Sequence, residues 1–297
     1  MFSYTLPKDA GGYEVIGRSR AADATCLAIP ALCWTLDCGA IVQNWRPERV
    51  FITHTHSDHS NRVTHVVSRH KPPTIYLPEF AAPLLEGYIN AHQAMTDNRA
   101  LSELLEAMAN GPPDWKINRI VQAVTVGETI SLKKGGKNWE IEVIACEHSV
   151  PCVGYAFRER KKELKEEYKG KPGRELGELR KSGVEINHEV LVNRFVFMGD
   201  TDATVFQKNA QLLEFPVIIT ECSFYSEEHK ATAIKTKHTH WDNLKPYVLA
   251  HPNTTFVLIH FSMRYSNKEI SEFFASEAVP NVVPFIDPND SSAIWID

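Results

Sequence analysis

Histidines and a carboxylate crowd one short stretch, Thr53-His54-Thr-His56-Ser-Asp58-His59-Ser60, directly behind the apolar run Val50-Phe51-Ile52. Imidazole nitrogen and carboxylate oxygen are the donors that borderline divalent ions such as zinc prefer. In an extended segment side chains alternate between faces, so His54 and His56 point the same way. Asp58 and His59 follow where the strand gives way to a turn and a helix begins. One pair of ligands is thus offered to one metal and a second pair to a neighbour. A solvated turn is the ordinary reading of a lone histidine. It does not account for H-x-H-x-D-H behind an apolar strand.

More donors stand at the ends of other apolar runs. His148 closes Glu140-Ile-Glu-Val-Ile-Ala-Cys-Glu-His148, Asp200 follows Arg194-Phe-Val-Phe-Met-Gly199, and His260 follows Thr255-Phe-Val-Leu-Ile259. A polar residue placed immediately after each buried strand is how one sheet edge presents a site, although each alone serves equally as a turn residue. Asp37, in the turn Asp37-Cys-Gly39, has two roles open to it: accepting a hydrogen bond from a metal-bound histidine, or capping the turn.

The elements that must carry these residues read as strands first and strand–helix alternation later. Short β-rich runs are expected at Tyr13 to Ile16, Cys26 to Ile29 and Cys33 to Leu36, then a helix from Asn61 to Ser68 ended by Lys71-Pro-Pro73. A strand Thr74 to Leu77 precedes helices at about Glu79 to His92 and Asn98 to Asn110, with Gly111-Pro-Pro113 stopping the second. Strands follow at about Asn118 to Val124, Thr129 to Leu132 and Trp139 to Cys146, with Gly135-Gly136 as a hairpin turn, and then Val153 to Phe157. Beyond a charged segment come a strand Phe195 to Met198, a helix Ala203 to Leu213, a strand Val217 to Thr220, a helix near Asp242 to Ala250 and a strand Phe256 to Ile259. No internal repeat and no Pro/Gly/Ser linker interrupts this order, so residues 1–297 read as one α/β domain.

The 297 residues suffice for a sizeable core, and 43% hydrophobic with 23% charged residues is ordinary for a globular protein. No apolar run reaches the ~18 residues of a membrane span, and the N-terminus lacks a basic-then-apolar leader. The six cysteines form no C-x-x-C pair and sit in apolar surroundings, as expected of reduced thiols in a cytoplasmic protein. A net charge of −5 provides no global basic footprint, so a nucleic-acid partner needs a local basic patch.

The H-x-H-x-D-H stretch is the signature of the metallo-β-lactamase superfamily, and the chain resembles that superfamily well beyond it. The resemblance implies an αββα sandwich, two mixed sheets packed together with helices on the outer faces. It also implies a ligand set. His54, His56 and His148 hold one metal, Asp58, His59 and His260 hold the other, and Asp200 bridges. Two Zn²⁺ are expected, with Mn²⁺ or Fe also compatible with such donors. A metal pair ~3.5–4 Å apart activates water and stabilises the leaving oxygen of a phosphodiester, and Asp58 can orient or deprotonate the attacking water.

Within the superfamily, His260-Phe-Ser-Met-Arg-Tyr265 looks like the H-[FIV]-S-x-R-[YF] stretch of tRNase Z, the endonuclease that removes the 3′ trailer from precursor tRNA. Thr220-Glu-Cys-Ser-Phe224 is similar to that family's H-E-A-T-F segment, and His238-Thr-His240 stands at the place of its H-S-T segment. Carried over, His238 is the proton donor to the leaving 3′-oxygen and Glu221 holds it. Arg264 is a phosphate contact, with His240 as a second contact to the RNA. The similarity is closest to the short, plant-type form, including Lys71-Pro-Pro-Thr74 and Ser182-Gly-Val-Glu-Ile186. Two departures stand out. The interval between His148 and Asp200, where that family inserts a long tRNA-clamping arm, is shortened to a segment Arg158 to Lys181. That segment has ten Lys/Arg against six Glu, and Lys181 at its end is a candidate RNA contact. A charge run of mixed sign is also what a solvated helix face looks like. In the second departure, Gly17-Arg-Ser-Arg-Ala21 lacks the small-residue loop and basic-Asn pattern of the bacterial-type enzymes.

The expected activity is hydrolysis of the phosphodiester 3′ of the discriminator nucleotide of precursor tRNA, by a homodimer, leaving a 3′-hydroxyl. The alternative is a phosphodiesterase of the same fold acting on a small diester such as a cyclic nucleotide. A non-catalytic RNA-binding relative would require lost ligands, and none is missing.

Overall fold

The computed structural model describes residues 1–67, 71–110 and 120–290. The strands are β1 (Phe2–Thr5), β2 (Glu14–Arg20), β3 (Ala24–Ile29), β4 (Trp34–Leu36), β5 (Arg49–Phe51), β6 (Thr74–Pro78), β7 (Ile120–Val124), β8 (Thr129–Lys134), β9 (Lys137–Cys146), β10 (Cys152–Leu164), β11 (Asn187–Phe197), β12 (Val217–Glu221), β13 (Thr255–Ile259) and β14 (Val282–Pro284). The α-helices are α1 (Ser57–Ser60), α2 (Val63–Val67), α3 (Ala82–Thr96), α4 (Leu101–Asn110), α5 (Gly173–Lys181), α6 (Val205–Lys208), α7 (Lys230–Thr236), α8 (Trp241–Ala250) and α9 (Asn267–Glu277).

Among the described residues two seven-stranded sheets form, β1 to β7 in sequence order and β14 back to β8 in reverse order. In each, the first four strands in sequence pair antiparallel and the rest add in parallel. Parallel strands covered on both faces are apolar along most of their length, as in Val217–Ile219 of β12 and Phe256–Ile259 of β13. Val217, Ile219, Val257 and Ile259 face the core between the sheets, while Ile218, Phe256 and Leu258 face the helices. Between the sheets Trp34 meets Trp139 at 5.1 Å and Phe51 meets Tyr155 at 5.3 Å between ring centroids. α2 and α3 cover the outer face of the first sheet, and α6 to α9 that of the second. This is the αββα sandwich. Its parallel strands bring their C-terminal ends to one edge.

Several boundaries differ from expectation. The helix expected at Asn61 to Ser68 is the shorter α2, preceded by a separate turn of helix, α1, that carries Asp58 and His59; Ser68 lies outside the described residues, as do Gly111-Pro-Pro113 and the expected strand start at Asn118. The helix expected at Glu79 to His92 runs instead from Ala82 to Thr96, because Pro83 sits well in a first turn. α9 was not expected. Its signal is a capping box, Ser266 and Glu269 bonding each other's backbone N–H.

The first part of the charged segment extends the second sheet. β10 continues through it to Leu164, α5 caps the turn, and β11 returns from Asn187, with Leu164 opposite Asn187. Charges of opposite sign meet across the strands. Arg158 pairs with Glu142 at 2.6 Å, and Arg160 pairs with Glu140 at 3.1 Å and Glu189 at 2.9 Å. At the root, Glu159 is buried with Arg194 at 2.7 Å.

Candidate metal centre and active site

The strand ends deliver the expected donors to one place. β5 leads to His54 and His56, α1 presents Asp58 and His59, and the segments after β9, β11 and β13 carry His148, Asp200 and His260. The ligand atoms of His54, His56, His148 and Asp200 all lie within 4.8 Å of one another, as do those of Asp58, His59 and His260. Asp200 touches both groups, with Oδ2 3.7 Å from His54 Nε2 and Oδ1 3.4 Å from His59 Nε2. Gly39 makes this packing possible. A Cβ there would stand 1.7 Å from the carbonyl oxygen of Asp58.

The far nitrogens of the rings are fixed from behind. Asp37 accepts from His59 Nδ1 at 2.7 Å and also binds the backbone N–H and hydroxyl of Thr53, so of its two possible roles it serves the histidine. Thr53 Oγ1 lies 3.0 Å from His54 Nδ1, and Ser223 Oγ 2.9 Å from His260 Nδ1. The Nε2 atoms of His59 and His260 are thereby turned on each other at 3.2 Å, beside His260 Nε2 to Asp58 Oδ2 at 3.3 Å. Lone pairs and carboxylates converging without enough protons to separate them suit two divalent cations. Burial lowers the basicity of His54, His56 and His148, leaving neutral donors. Burial also opposes charge on His59, yet Asp200 and Asp37 win and hold its proton to about 10. Asp58 and Asp200 are buried, but neighbouring histidines, led by His260, hold both carboxyls far below the usual range. An anion that acidic is a poor proton acceptor, which favours Asp58 as an orienting group over Asp58 as the base.

His238 stands over this cluster, its Nδ1 3.9 Å from Asp200 and 2.8 Å from Glu221 Oε1. Glu221 is buried at the end of β12, where it also accepts from the N–H of Thr201 and Thr239 and from Ser223 Oγ. Burial opposes charge on His238, but Glu221 and then Asp200 raise it to about 9. The carboxylate thus favours the protonated imidazole and anchors it at Nδ1.

The contacts expected with RNA fare unequally. Arg264 is exposed on the wall of a cleft of about 490 Å³ that His56, Asp58, Asp200, His238 and His260 also line. His240 is a correction. It is 1% exposed and caps α8, accepting from Asp242 N–H through Nδ1 while Nε2 reaches the carbonyl of Ser226, so neither nitrogen is free for RNA. Lys181 ends α5, beyond a strand that runs about 40 Å at ~3.3 Å per residue, so it belongs to the arm and not to the cleft. Sequence reasoning missed Ser223, Thr53 and Arg20. Ser223 was quoted inside Thr220-Glu-Cys-Ser-Phe224 without a role, and nothing local to it announces His260.

No model of a known protein family matches the chain. Among curated proteins it is similar to a tRNase Z of Arabidopsis thaliana, 28% identical over 282 residues that cover 91% of each. A chloroplastic tRNase Z of the same plant is 29% identical over 276 residues, covering 88% of this chain and 70% of the relative. A nuclear ribonuclease Z of Triticum aestivum is 29% identical over 189 residues, covering 60% and 94%. Among solved structures, the metallo-β-lactamase fold protein YhfI of Bacillus subtilis superimposes with a TM-score of 0.53 at 13% identity, covering 92% and 95%. The short form of human tRNase Z superimposes with a TM-score of 0.51 at 15% identity, covering 84% and 92%. The chain thus has the metallo-β-lactamase fold and, by sequence, is similar to tRNase Z over most of its length.

Proposed function

We propose that this protein is a metal-dependent endoribonuclease of the tRNase Z type, which hydrolyses the phosphodiester 3′ of the discriminator nucleotide in precursor tRNA. One observation carries the reading: a buried Glu221 binds Nδ1 of His238 at 2.8 Å over a His/Asp cluster, in a chain similar to tRNase Z over 91% of its length. His54, His56 and His148 would hold one cation, Asp58, His59 and His260 the other, and Asp200 both. Zinc is the expected metal. Bound there, the pair supplies activated water and neutralises phosphate charge. Asp58, pinned by the N–H of Ala22 at 2.8 Å, orients the attacking oxygen. Arg264 pairs with a phosphate oxygen. As hydroxide, formed by loss of a water proton to solvent, bonds through its oxygen to phosphorus and the bond to the 3′-oxygen breaks, His238 gives its proton to that oxygen, yielding a 3′-hydroxyl and a 5′-phosphorylated trailer.

The chain works as one domain, residues 1–297, whose arm at about 158–181 contacts tRNA, and it acts as a homodimer. Six free cysteines suit the reducing cytoplasm. Among the described residues no helix is long and apolar enough to cross a membrane. The test is cleavage of a 3′-extended precursor tRNA, with Asp200→Ala as control. Product ending at the discriminator, absent with the variant, supports the reading. No cleavage by protein carrying two metals overturns it in favour of a small diester.

A further inference from the structure

Arg20 ends β2 with its guanidinium buried, and among the described residues it donates hydrogen bonds to neutral groups of one distant segment. Nε donates to the carbonyl of Phe261 at 3.1 Å, and Nη2 to those of Ser262 at 2.8 Å and Tyr265 at 2.5 Å. Nη1 donates to Asn267 Oδ1 at 2.5 Å. The segment needs such support. After β13 the chain turns at His260 with a φ of 62°, a conformation unfavourable for a side-chain-bearing residue, and then runs irregularly to α9. Its carbonyls point inward, where each requires a donor. Ser19 and Ala21 flank Arg20 and tie the same turn, Ser19 Oγ accepting from His260 N–H at 3.0 Å and Ala21 N–H donating to Phe261 at 3.1 Å.

Between the carbonyls that Arg20 grips stand Met263 and Arg264, both on the wall of the cleft. We infer that Arg20 is a positioning residue: its fork sets the course of residues 261–265 and so aims the Arg264 guanidinium at the phosphate bound in the cleft. A lysine retains the charge but presents one nitrogen where the fork presents three, spread in a plane. The role deepens the function proposed above and rests on it only for the identity of the phosphate.

The test has two readings on metal-loaded protein. The chain holds five methionines, so a ¹³C-methyl methionine spectrum is simple, and Met263→Leu assigns the Met263 peak. In Arg20→Lys that peak moves or broadens while the core Met198 peak stays. A Met263 peak identical to wild type overturns the inference. In the second reading, binding of 3′-extended precursor tRNA is measured for Arg20→Lys, Arg264→Ala and the double variant. Each single variant weakens binding, Arg264→Ala by about tenfold for one charge-assisted contact, and the double variant is no weaker than Arg264→Ala alone. Losses that multiply show that Arg20 does not act through Arg264, and overturn the inference. If wild type neither binds nor cuts precursor tRNA while Met263 responds to Arg20→Lys, the proposed function fails and the positioning role stands.

Discussion

At the scale of single residues the His238–Glu221 pair decides most. The geometry of Nδ1 against a buried carboxylate predicts that His238→Ala lowers kcat on precursor tRNA by about 10²–10⁴-fold while two metals remain bound, checked by single-turnover kinetics and metal analysis. The sign of the pH effect follows from the pair. Glu221 favours the imidazolium against the pull of burial, so the acid form is held to higher pH than it would be without that carboxylate and is lost as pH rises through the raised pKa. In Glu221→Gln that support is gone, and the alkaline fall of kcat moves to lower pH. An unmoved alkaline limb would show that another group donates the proton. Glu221 and His238 are 17 residues apart, and their meeting was legible only through family resemblance. His240, two positions on in the same segment, is buried instead, because at the start of α8 the backbone N–H of Asp242 needs an acceptor and the His240 ring supplies it.

Among elements, the arm was the least legible. A run of mixed charge reads as a solvated face, and α5 is one, but the first part of the run lies on β10 and pairs with charges on β9 and β11. The period-2 pattern of Glu142–Arg158 and Glu140–Arg160 appears only once the register of β9 and β10 is known. Glu159 and Arg194 make the root rigid, both nearly buried. Arg194 and Lys137 hold the Glu159 carboxyl below its usual range despite burial. A depressed carboxyl contributes stability that is present above its unfolded pKa and lost as pH falls through the folded one. Glu159→Gln is therefore expected to lose about 3 kcal/mol at neutral pH, as when one member of a buried pair is removed, and less in acid, measured by urea unfolding across pH. The tip is separable from this root. Joining Leu164 to Asn187 through Asn-Gly removes α5 and should leave metal content and hydrolysis of bis(p-nitrophenyl) phosphate unchanged, while the KM for precursor tRNA rises. An unchanged KM would exclude the arm as an RNA contact.

For the whole molecule, the cluster is where two sheets are joined. His54, His56, Asp58 and His59 come from the first, and His148, Asp200 and His260 from the second, so metal bound there ties both halves of the sandwich. Chelation should lower Tm by several degrees, since a ligand at 100 times its Kd adds ~2.7 kcal/mol to the folded state. Metal uptake should also release a proton. His59 holds one until about pH 10 in the metal-free cluster, and the cation must displace it from Nε2. Calorimetry at pH 7 in buffers of different ionisation enthalpy should register that release, and affinity should rise with pH until His59 is deprotonated unaided. Heats independent of buffer would argue that His59 does not bind metal.

What the sequence determined by itself is the set of donors and the strands that carry them. H-x-H-x-D-H needs only backbone alternation to aim two imidazoles together, and apolar runs ending at His148, Asp200 and His260 announce buried strands. Tertiary structure decided what stands behind the donors. Ser223 reaches a histidine 37 positions away, His59 meets His260 across 201, and Arg20 grips carbonyls 241 to 245 positions on. A hydrogen bond depends on distances of about 3 Å between atoms. Over separations of that length, only the packing of two sheets sets those distances, and no local pattern records them.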